Sequence, residues 1–271
     1  MQAIAHKKYG PWALVTGASQ GIGEEFARQL AANGLNVVLV DRRKQLLDNV
    51  AKELESKYNI KAKTVLVDLS QSEAINIIAE ATKEIEIGLL VNNAAMFIAG
   101  ALMKTEEADQ TQLIQVNIVA PLQLAHLFGR KMSQRGQGGI IFVASIGGYT
   151  SLPYMANYMA TKAYLISLGE ALHYELRKKG VDVTVLCPGN IKTRPKGAVV
   201  IKGLDGSLSG KGMSVTPVVA IALKALGQKP AVIPGFLNNV KFFILTKFFT
   251  RKASTSIFAK MIKKAVLKEL L

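Results

Sequence analysis

The stretch TGASQGIG, residues 16–23, decides the fold of this 271-residue chain. It follows an apolar run at 13–16 and opens a helical stretch, and its small residues let a backbone approach a pyrophosphate closely. The helix start offers unpaired N–H groups and a favourable dipole to an anion. Glycines at 17, 21 and 23 depart from the common GxGxxG spacing, and a glycine cluster alone also fits an ordinary turn. The flanking strand and helix favour a phosphate cradle, which contains Gly17, Ser19, Gln20, Gly21, Ile22 and Gly23.

Outward from this cradle, short apolar runs alternate with helical stretches. The predicted strands are 13–16, 37–40, 64–67, 89–91, 139–144 and 181–186, and the predicted helices are 21–33, 44–57, 72–84, 111–132 and 156–179. This alternation predicts an α/β fold, a Rossmann-like doubly wound parallel sheet of about seven strands with helices on both faces. We expect one domain over residues 1–271, with ligands at the carboxyl ends of the strands.

Two segments depart from the alternation. Residues 192–213 are rich in Gly and Lys and predict a substrate loop, after which Thr216 and Pro217 suggest a helix that Thr216 caps. Residues 236–271 form a cationic amphipathic extension, too short and too charged to cross a bilayer. Its lysines oppose an apolar side, which fits an interfacial membrane helix and equally a helix that covers the substrate pocket or a dimer partner.

The composition narrows the class of protein. A net charge of +15 favours anionic partners such as membrane surfaces, acyl-carrier or coenzyme-A substrates, or nucleic acid, and it also fits lysine-rich helix faces in water. The basic residues match no nucleic-acid module, so a nucleic-acid partner is not expected. No metal-ligand spacing occurs. The single Cys187 and the lack of a recognisable secretory signal predict a cytoplasmic protein, or one peripheral to a membrane.

The end of the second predicted strand carries conflicting signals about the cofactor. Asp41 stands where an acid can bind the adenosine ribose hydroxyls, which favours NAD(H) and repels a 2′-phosphate. Arg42 and Arg43 follow at once and could instead bind that phosphate. The prediction is NAD(H), slightly favoured over NADP(H).

A candidate reacting pair begins the helix at 156–179. Tyr158 and Lys162 are four residues apart, so both side chains project from one helical face. A neighbouring ammonium lowers the pKa of a phenol, which could then exchange a proton with a carbonyl or an alcohol. Ser145 ends the fifth strand, where its hydroxyl could bind the substrate oxygen or simply cap a loop. Asn117 interrupts an apolar helical run and could bind a relay water or be a satisfied core amide.

These motifs, in this order and spacing, resemble the short-chain dehydrogenase/reductase family over residues 10–195. The matches are Thr16-Gly-x-x-x-Gly-x-Gly23, Asp68-Leu69, Asn92-Asn93-Ala94, Asn117, Ser145, Tyr158-x-x-x-Lys162 and Pro188-Gly189-x-Ile191-x-Thr193. The stretches at 8–13 and 86–93 are similar to the 17β-hydroxysteroid dehydrogenase and long-chain 3-oxoacyl-CoA reductase branch. Ala95 departs from the glycine usual there, and Asp41 is an acid that this branch rarely has.

The resemblance implies an NAD(P)-dependent oxidoreductase that interconverts a carbonyl and a secondary alcohol on a lipophilic ketone, hydroxysteroid-like substrate or 3-oxoacyl thioester. It implies a catalytic set of Asn117, Ser145, Tyr158 and Lys162, with Tyr158 as acid/base. Cofactor contacts would come from Asp68, Leu69, Asn92, Ala94, Tyr158, Lys162, Pro188, Gly189, Ile191 and Thr193, besides the cradle, Asp41 and Arg42. It also implies a homodimer or homotetramer built on the long helices. The alternative is a cofactor-binding sensor or scaffold at a membrane surface.

Overall fold

The structure, a computed structural model, describes residues 8–192, 212–236, 238–240, 250, 252–256 and 259–260. Within them, seven strands form one parallel sheet in the order β3-β2-β1-β4-β5-β6-β7. The strands are β1 (Trp12–Thr16), β2 (Asn36–Asp41), β3 (Ala62–Leu66), β4 (Ile87–Asn92), β5 (Gly138–Val143), β6 (Val181–Leu186) and β7 (Ala231–Val232). The predicted Rossmann-like sheet is confirmed.

Helices cover both faces of this sheet. They are α1 (Gly21–Ala32), α2 (Lys44–Tyr58), α3 (Ala74–Ala81), α4 (Glu107–Ile114), α5 (Ala120–Arg135), α6 (Ala156–Arg177) and α7 (Val215–Ala225). A π-helical turn, Gln115–Val119, joins α4 to α5, and 3₁₀ turns occupy Leu102–Lys104 and Ile146–Tyr149. Most strands are buried on both faces, which explains apolar runs such as 37–40 in β2 and 140–143 in β5, whereas the edge strand β3 is largely exposed. In β2, Val38 and Val40 enter the core beneath α3, α5 and α6, whereas Val37 and Leu39 enter the core beneath α1, α2 and α7.

Most element ends lie within three residues of the predicted ones, and three other differences stand out. The helix predicted over 111–132 starts earlier, at Glu107, and contains the π-helical turn. Ser214, and not Thr216, occupies the N-cap position of α7, in an extended conformation and without a side-chain hydrogen bond to the helix. Pro217 falls inside the first turn, where it is tolerated because N–H groups there lack helical partners. Strand β7 was not predicted, since two residues carry no periodicity.

The segment before β1 crosses under the amino ends of the strands. The Tyr9 hydroxyl donates a hydrogen bond to Asp182 Oδ2 in β6, 2.6 Å away. On its way the Tyr9 side chain passes Gly139, where a β-carbon would lie 3.0 Å from the tyrosine ring. A β-carbon at Gly88 would likewise meet the Tyr9 carbonyl. Tyr9 therefore links the start of the chain to β6 across β4 and β5, at the edge opposite the ligand cleft.

Among the described residues, no helix combines the length and apolar character that crossing a bilayer requires. The predicted substrate loop, 192–213, and the cationic extension, 236–271, lie largely outside the described residues, and Thr193 lies wholly outside them. Both segments, like the single-domain organisation, stay predictions.

Candidate active site

The phosphate cradle between β1 and α1 is shaped by two glycines that no other residue could replace without movement. Gly17 has φ of +66°, and a β-carbon there would lie 2.9 Å from Ala94 Cα. A β-carbon at Gly23 would overlap the Gly17 carbonyl oxygen and would lie 2.8 Å from the Gly17 carbonyl carbon. Gly21, with φ of +65°, starts α1 directly beneath this turn. The bare backbone at the helix start fits a dinucleotide pyrophosphate.

Two polar side chains hold the cradle in place, and sequence reasoning assigned neither of them a role. Asn93 Nδ2 donates to the Thr16 and Gly17 carbonyl oxygens, at 2.9 and 3.2 Å. Thr16 Oγ1 accepts from the backbone N–H groups of Asn93 and Ala94, both at 3.0 Å. The cradle is thus tied to the end of β4. The polar pair Asn92-Asn93 at the end of a buried strand could have indicated this role from sequence, since a buried amide needs hydrogen-bond partners.

A cleft of about 450 Å³ opens beside the cradle, at the carboxyl ends of β1 to β4. Half of the predicted cofactor residues outside the β6 end line it, namely Gly17, Gln20, Asp41, Arg42, Asp68, Leu69 and Ala94. Helix α4 and the segment after β4 form the far wall, with Phe97, Ile98, Ala99, Asp109 and Gln112. The cleft lies where the strand order reverses between β1 and β4, which is the usual ligand position in such sheets.

Three predicted cofactor residues turn their side chains elsewhere. Asn92 is buried, and its Nδ2 donates to the Pro121 carbonyl 3.2 Å away, so its side chain does not line the described cleft. Ile22 packs into the core beneath α1, α2 and α7. The Ser19 side chain donates to Asp41. An apolar or hydrogen-bonding partner in the core decided these orientations, and such partners cannot be read from motif spacing.

The Asp41 carboxylate, predicted to face a ribose, is already occupied by protein donors. Ser19 donates to Oδ2 through its hydroxyl at 2.8 Å, and Arg43 donates to both oxygens from its guanidinium at 3.0 Å. The side chain is only 4% exposed. Burial alone would raise the pKa of Asp41, but the hydrogen bonds from Arg43 and Ser19 outweigh it and hold that pKa below its usual value. The neighbouring Arg42 pairs with Asp68 at 3.1 Å and is two-thirds exposed.

The Tyr158–Lys162 pair lies on the buried face of α6, as the four-residue spacing predicts. Lys162 Nζ lies 5.6 Å from the centroid of the Tyr158 ring and donates a hydrogen bond to the Val143 carbonyl at 2.9 Å. On its other side, the Tyr158 ring meets the edge of the Phe97 ring, with centroids 4.8 Å apart and an interplanar angle of 83°. Phe97 also lines the cleft, so the cleft and the tyrosine share this ring.

Burial dominates the proton affinities of this pair. It raises the pKa of Tyr158 to about 12. It lowers the pKa of Lys162 to about 8. The sequence predicted a tyrosine pKa lowered by the neighbouring ammonium, whereas desolvation of the phenolate raises it in this arrangement, in which the Lys162 ammonium donates its hydrogen bond to the Val143 carbonyl. At neutral pH the phenol is protonated.

Ser145 stands at the end of β5, where two glycines bring it against α6. Its hydroxyl oxygen accepts from the Gly147 N–H at 3.1 Å and caps the following 3₁₀ turn. A β-carbon at Gly148 would lie 2.9 Å from the carbonyl carbon of Lys162, so only glycine permits this approach. The turn therefore rests on the helix that carries the pair. The backbone of Pro188 joins this group, since its carbonyl accepts from Ile146 N–H at 3.0 Å.

The segment after β6 brings three further predicted cofactor residues to the same end of the sheet. Pro188 and Gly189 follow Cys187, the residue after β6, and Ile191 forms a parallel bridge with Met213. A β-carbon at Gly189 would lie 2.9 Å from Asn238 Nδ2.

Asn117 sits fully buried in the π-helical turn, and its amide is engaged by protein groups. Its Oδ1 accepts from the Met96 N–H at 2.7 Å, and its Nδ2 donates to the Met96 carbonyl at 2.9 Å and to Thr161 Oγ1 at 3.1 Å. A π-helical turn in the middle of a helix often marks a functional position. The amide thus ties the segment after β4 to α6, beside Lys162.

A glycine-shaped cleft bordered by Phe97, whose ring contacts a partly buried tyrosine beside a buried lysine, is typical of the dinucleotide-dependent oxidoreductases. The model of the short chain dehydrogenase family matches residues 11–200. A 7β-hydroxysteroid dehydrogenase of Clostridium sardiniense is 32% identical over 87% of this chain and 89% of its own. A very-long-chain 3-oxoacyl-CoA reductase of Neurospora crassa is 37% identical over 65% of this chain and 54% of its own. A solved structure of a 7β-hydroxysteroid dehydrogenase superposes with a TM-score of 0.87 at 28% identity, covering 93% and 98%.

The chain belongs to the short-chain dehydrogenase family. It is an NAD(P)-dependent oxidoreductase that interconverts a carbonyl and an alcohol, as the resemblance implied. The alternative of a sensor or scaffold with little catalysis is not favoured by these relatives.

Proposed function

We propose that the protein reduces a lipophilic ketone with Tyr158 as the proton donor. The single observation that carries this proposal is the contact of the Tyr158 ring with Phe97, a residue that also lines the cofactor cleft. The raised pKa keeps the phenol protonated at neutral pH, and a protonated phenol is the acid that carbonyl reduction requires. A lipophilic substrate fits the apolar surroundings of Tyr158 and the steroid and acyl substrates named for the relatives.

The other members of the catalytic set have supporting roles in this proposal. The Ser145 hydroxyl would hold the substrate oxygen, and the Lys162 ammonium would stabilise the phenolate left when Tyr158 gives up its proton. Asn117 would keep α6 and the segment after β4 in register through its bonds to Met96 and Thr161. A bound nicotinamide dinucleotide would supply the hydride. The cradle, Asp68, Leu69 and Ala94 would hold it on one side, and Pro188, Gly189 and Ile191 on the other.

The test is Tyr158→Phe, with Tyr174→Phe on the exposed face of the same helix as the matched control. We expect Tyr158→Phe to bind the reduced cofactor normally and to lose turnover by about 10²- to 10⁴-fold, the usual worth of a positioned acid. Tyr174→Phe should keep both properties. Turnover by Tyr158→Phe within a few-fold of the wild type would contradict the role.

NADP(H) is the cofactor that the geometry around Asp41 supports, against the preference for NAD(H) from sequence. That preference, which is unconfirmed, required a free carboxylate, and Asp41 is instead neutralised by Arg43 and held by Ser19. Arg42 is two-thirds exposed and pairs with Asp68, and it would exchange that carboxylate for a bound 2′-phosphate. We expect the wild type to favour NADPH by kcat/KM, and Arg43→Ala to reverse that preference by freeing Asp41. The control is Lys44→Ala, an exposed neighbour paired with Asp48. A wild-type preference for NADH would contradict this choice.

The proposed assembly is a homodimer through the outer faces of α5 and α6. Between them lies an apolar groove of about 350 Å³, lined by Leu122, Ala125, Gly129, Leu168, Leu172 and Leu176 among others. Exposed apolar grooves of this kind commonly mark interfaces between proteins. Membrane contact through the extension and placement in the cytoplasm stay predictions from the sequence.

A further inference from the structure

The three residues from Phe97 to Ala99 form an arch that is fastened at both ends. At its start, Met96 is held by two hydrogen bonds to the amide of Asn117, at 2.7 and 2.9 Å. At its end, the Gly100 N–H donates to the Tyr154 carbonyl at 2.7 Å. The first anchor lies on the buried π-helical turn and the second on the loop before α6. The arch therefore has little freedom to move relative to α6.

The Phe97 ring is the part of the arch that reaches the reacting group. Its edge-to-face contact with Tyr158 has the geometry that aromatic pairs prefer. The ring also borders the cofactor cleft, as do Ile98 and Ala99. Phe97 thus stands between the place of the dinucleotide and the proton donor, where a substrate carbonyl must enter.

The loop opposite the arch supplies the rest of an apolar enclosure. Met155 and Met159 are buried, and Phe97, Ala99, Leu152, Tyr154 and Tyr158 pack against them. Tyr154 has φ of +65°, an unusual conformation for a bulky residue, which persists only where surrounding contacts enforce it. The Tyr154 carbonyl accepts the hydrogen bond from Gly100, so the strained residue is also the one that holds the end of the arch.

We propose that Phe97 determines substrate specificity: its ring is a fixed wall that aligns the flat face of an alicyclic ketone with the Tyr158 hydroxyl. This inference rests on the proposed ketone reduction and names its substrate class. A rigid ring system that lies against an immobile aromatic wall orders few rotatable bonds on binding, whereas a linear acyl chain must order many. The fastened arch therefore favours fused-ring ketones over linear 3-oxoacyl thioesters.

The test compares two ketones within each variant, so that any loss of folded protein cancels. The probes are a 7-ketosteroid and cyclohexanone, each measured as kcat/KM with the preferred cofactor. Phe97→Ala should lower the ratio of steroid to cyclohexanone by about 10- to 100-fold, the range for lost apolar contacts in a pocket. Met103→Ala, at an exposed position in the same connection, is the matched control and should leave the ratio unchanged.

A second variant separates the ring from its fastening. Gly100 has φ of +151°, which alanine adopts only with strain, and a β-carbon there would lie 3.2 Å from Thr105 Cγ2. Gly100→Ala keeps the Phe97 ring but loosens the arch, and we expect the ratio to fall in the same direction by a smaller factor. A linear 3-oxoacyl thioester should be a poorer substrate of the wild type than the steroid.

The outcomes distinguish the two proposals. If the wild type reduces both ketones and Phe97→Ala loses them by equal factors, the wall is refuted and the ketone reduction stands. A wild-type preference for the linear thioester also refutes the wall. If the wild type reduces no ketone with either cofactor, the proposed function falls and the inference falls with it.

Discussion

Gly23→Ala should weaken cofactor binding while the rest of the fold is retained. A β-carbon at position 23 would lie 2.8 Å from the Gly17 carbonyl carbon, whereas non-bonded carbons rest about 3.5–4.0 Å apart. The cradle must therefore retreat by about 1 Å. It cannot do so freely, because Asn93 Nδ2 holds the Thr16 and Gly17 carbonyl groups.

The cost follows from these contacts. Losing two hydrogen bonds costs about 1 kcal/mol each. Overpacking costs about 1–3 kcal/mol if the loop stays in place. If the loop moves to relieve the overlap, the two hydrogen bonds are lost instead and the pyrophosphate site moves with the loop. A loss of about 2 kcal/mol in binding then corresponds to an affinity about 30-fold weaker.

The measurement is titration of cofactor fluorescence, paired with thermal unfolding. The control is Gly34→Ala, just past the end of the same helix, where φ is +84° and no atom lies within 4 Å of the new β-carbon. That variant should lose a little stability from its backbone conformation and keep cofactor affinity. Cofactor affinity of Gly23→Ala within threefold of the wild type would refute the reasoning about the cradle.

Three further predictions concern the hydrogen bond of Tyr9, the dimer and the buried lysine. Tyr9→Phe leaves Asp182 without its hydroxyl donor and should cost about 1–3 kcal/mol in urea unfolding; an unchanged midpoint would argue against that link. Leu172→Glu should yield monomers in sedimentation, while the same change at Leu66, exposed on the edge strand β3, should not; a persistent dimer would exclude the groove. Lys162→Met should be more stable than the wild type at pH 7 by up to about 3 kcal/mol. Between pH 8 and 10.5 the unfolded wild type binds more protons than the folded wild type, so the stability of the wild type rises with pH. The stability difference between the two proteins should therefore shrink over that window, and a difference that stays constant would contradict the lowered pKa of Lys162.

The sequence alone was sufficient wherever one local rule governs a short stretch. Short β-branched runs that alternate with helical stretches predicted six of the seven strands, because most of these strands are buried on both faces and therefore largely apolar. The spacing of Tyr158 and Lys162 predicted their common face because the helix repeat sets it. The glycines at 17 and 23 predicted a close backbone approach, and the structure shows which atoms a β-carbon at either position would meet.

The tertiary structure decided whatever depends on partners distant in the chain. Asp41 reads as a free acid in the sequence, but its hydrogen bonds come partly from Ser19, 22 residues away. The acidity of Tyr158 depends on the burial created by its surroundings, which no spacing specifies. Phe97 carried no motif at all, and only the bonds of Asn117 and Tyr154 to its neighbours set it against the reacting ring. The local sequence determines the secondary structure, whereas the charge state and the contacts of a side chain depend on residues that only the folded chain brings close to it.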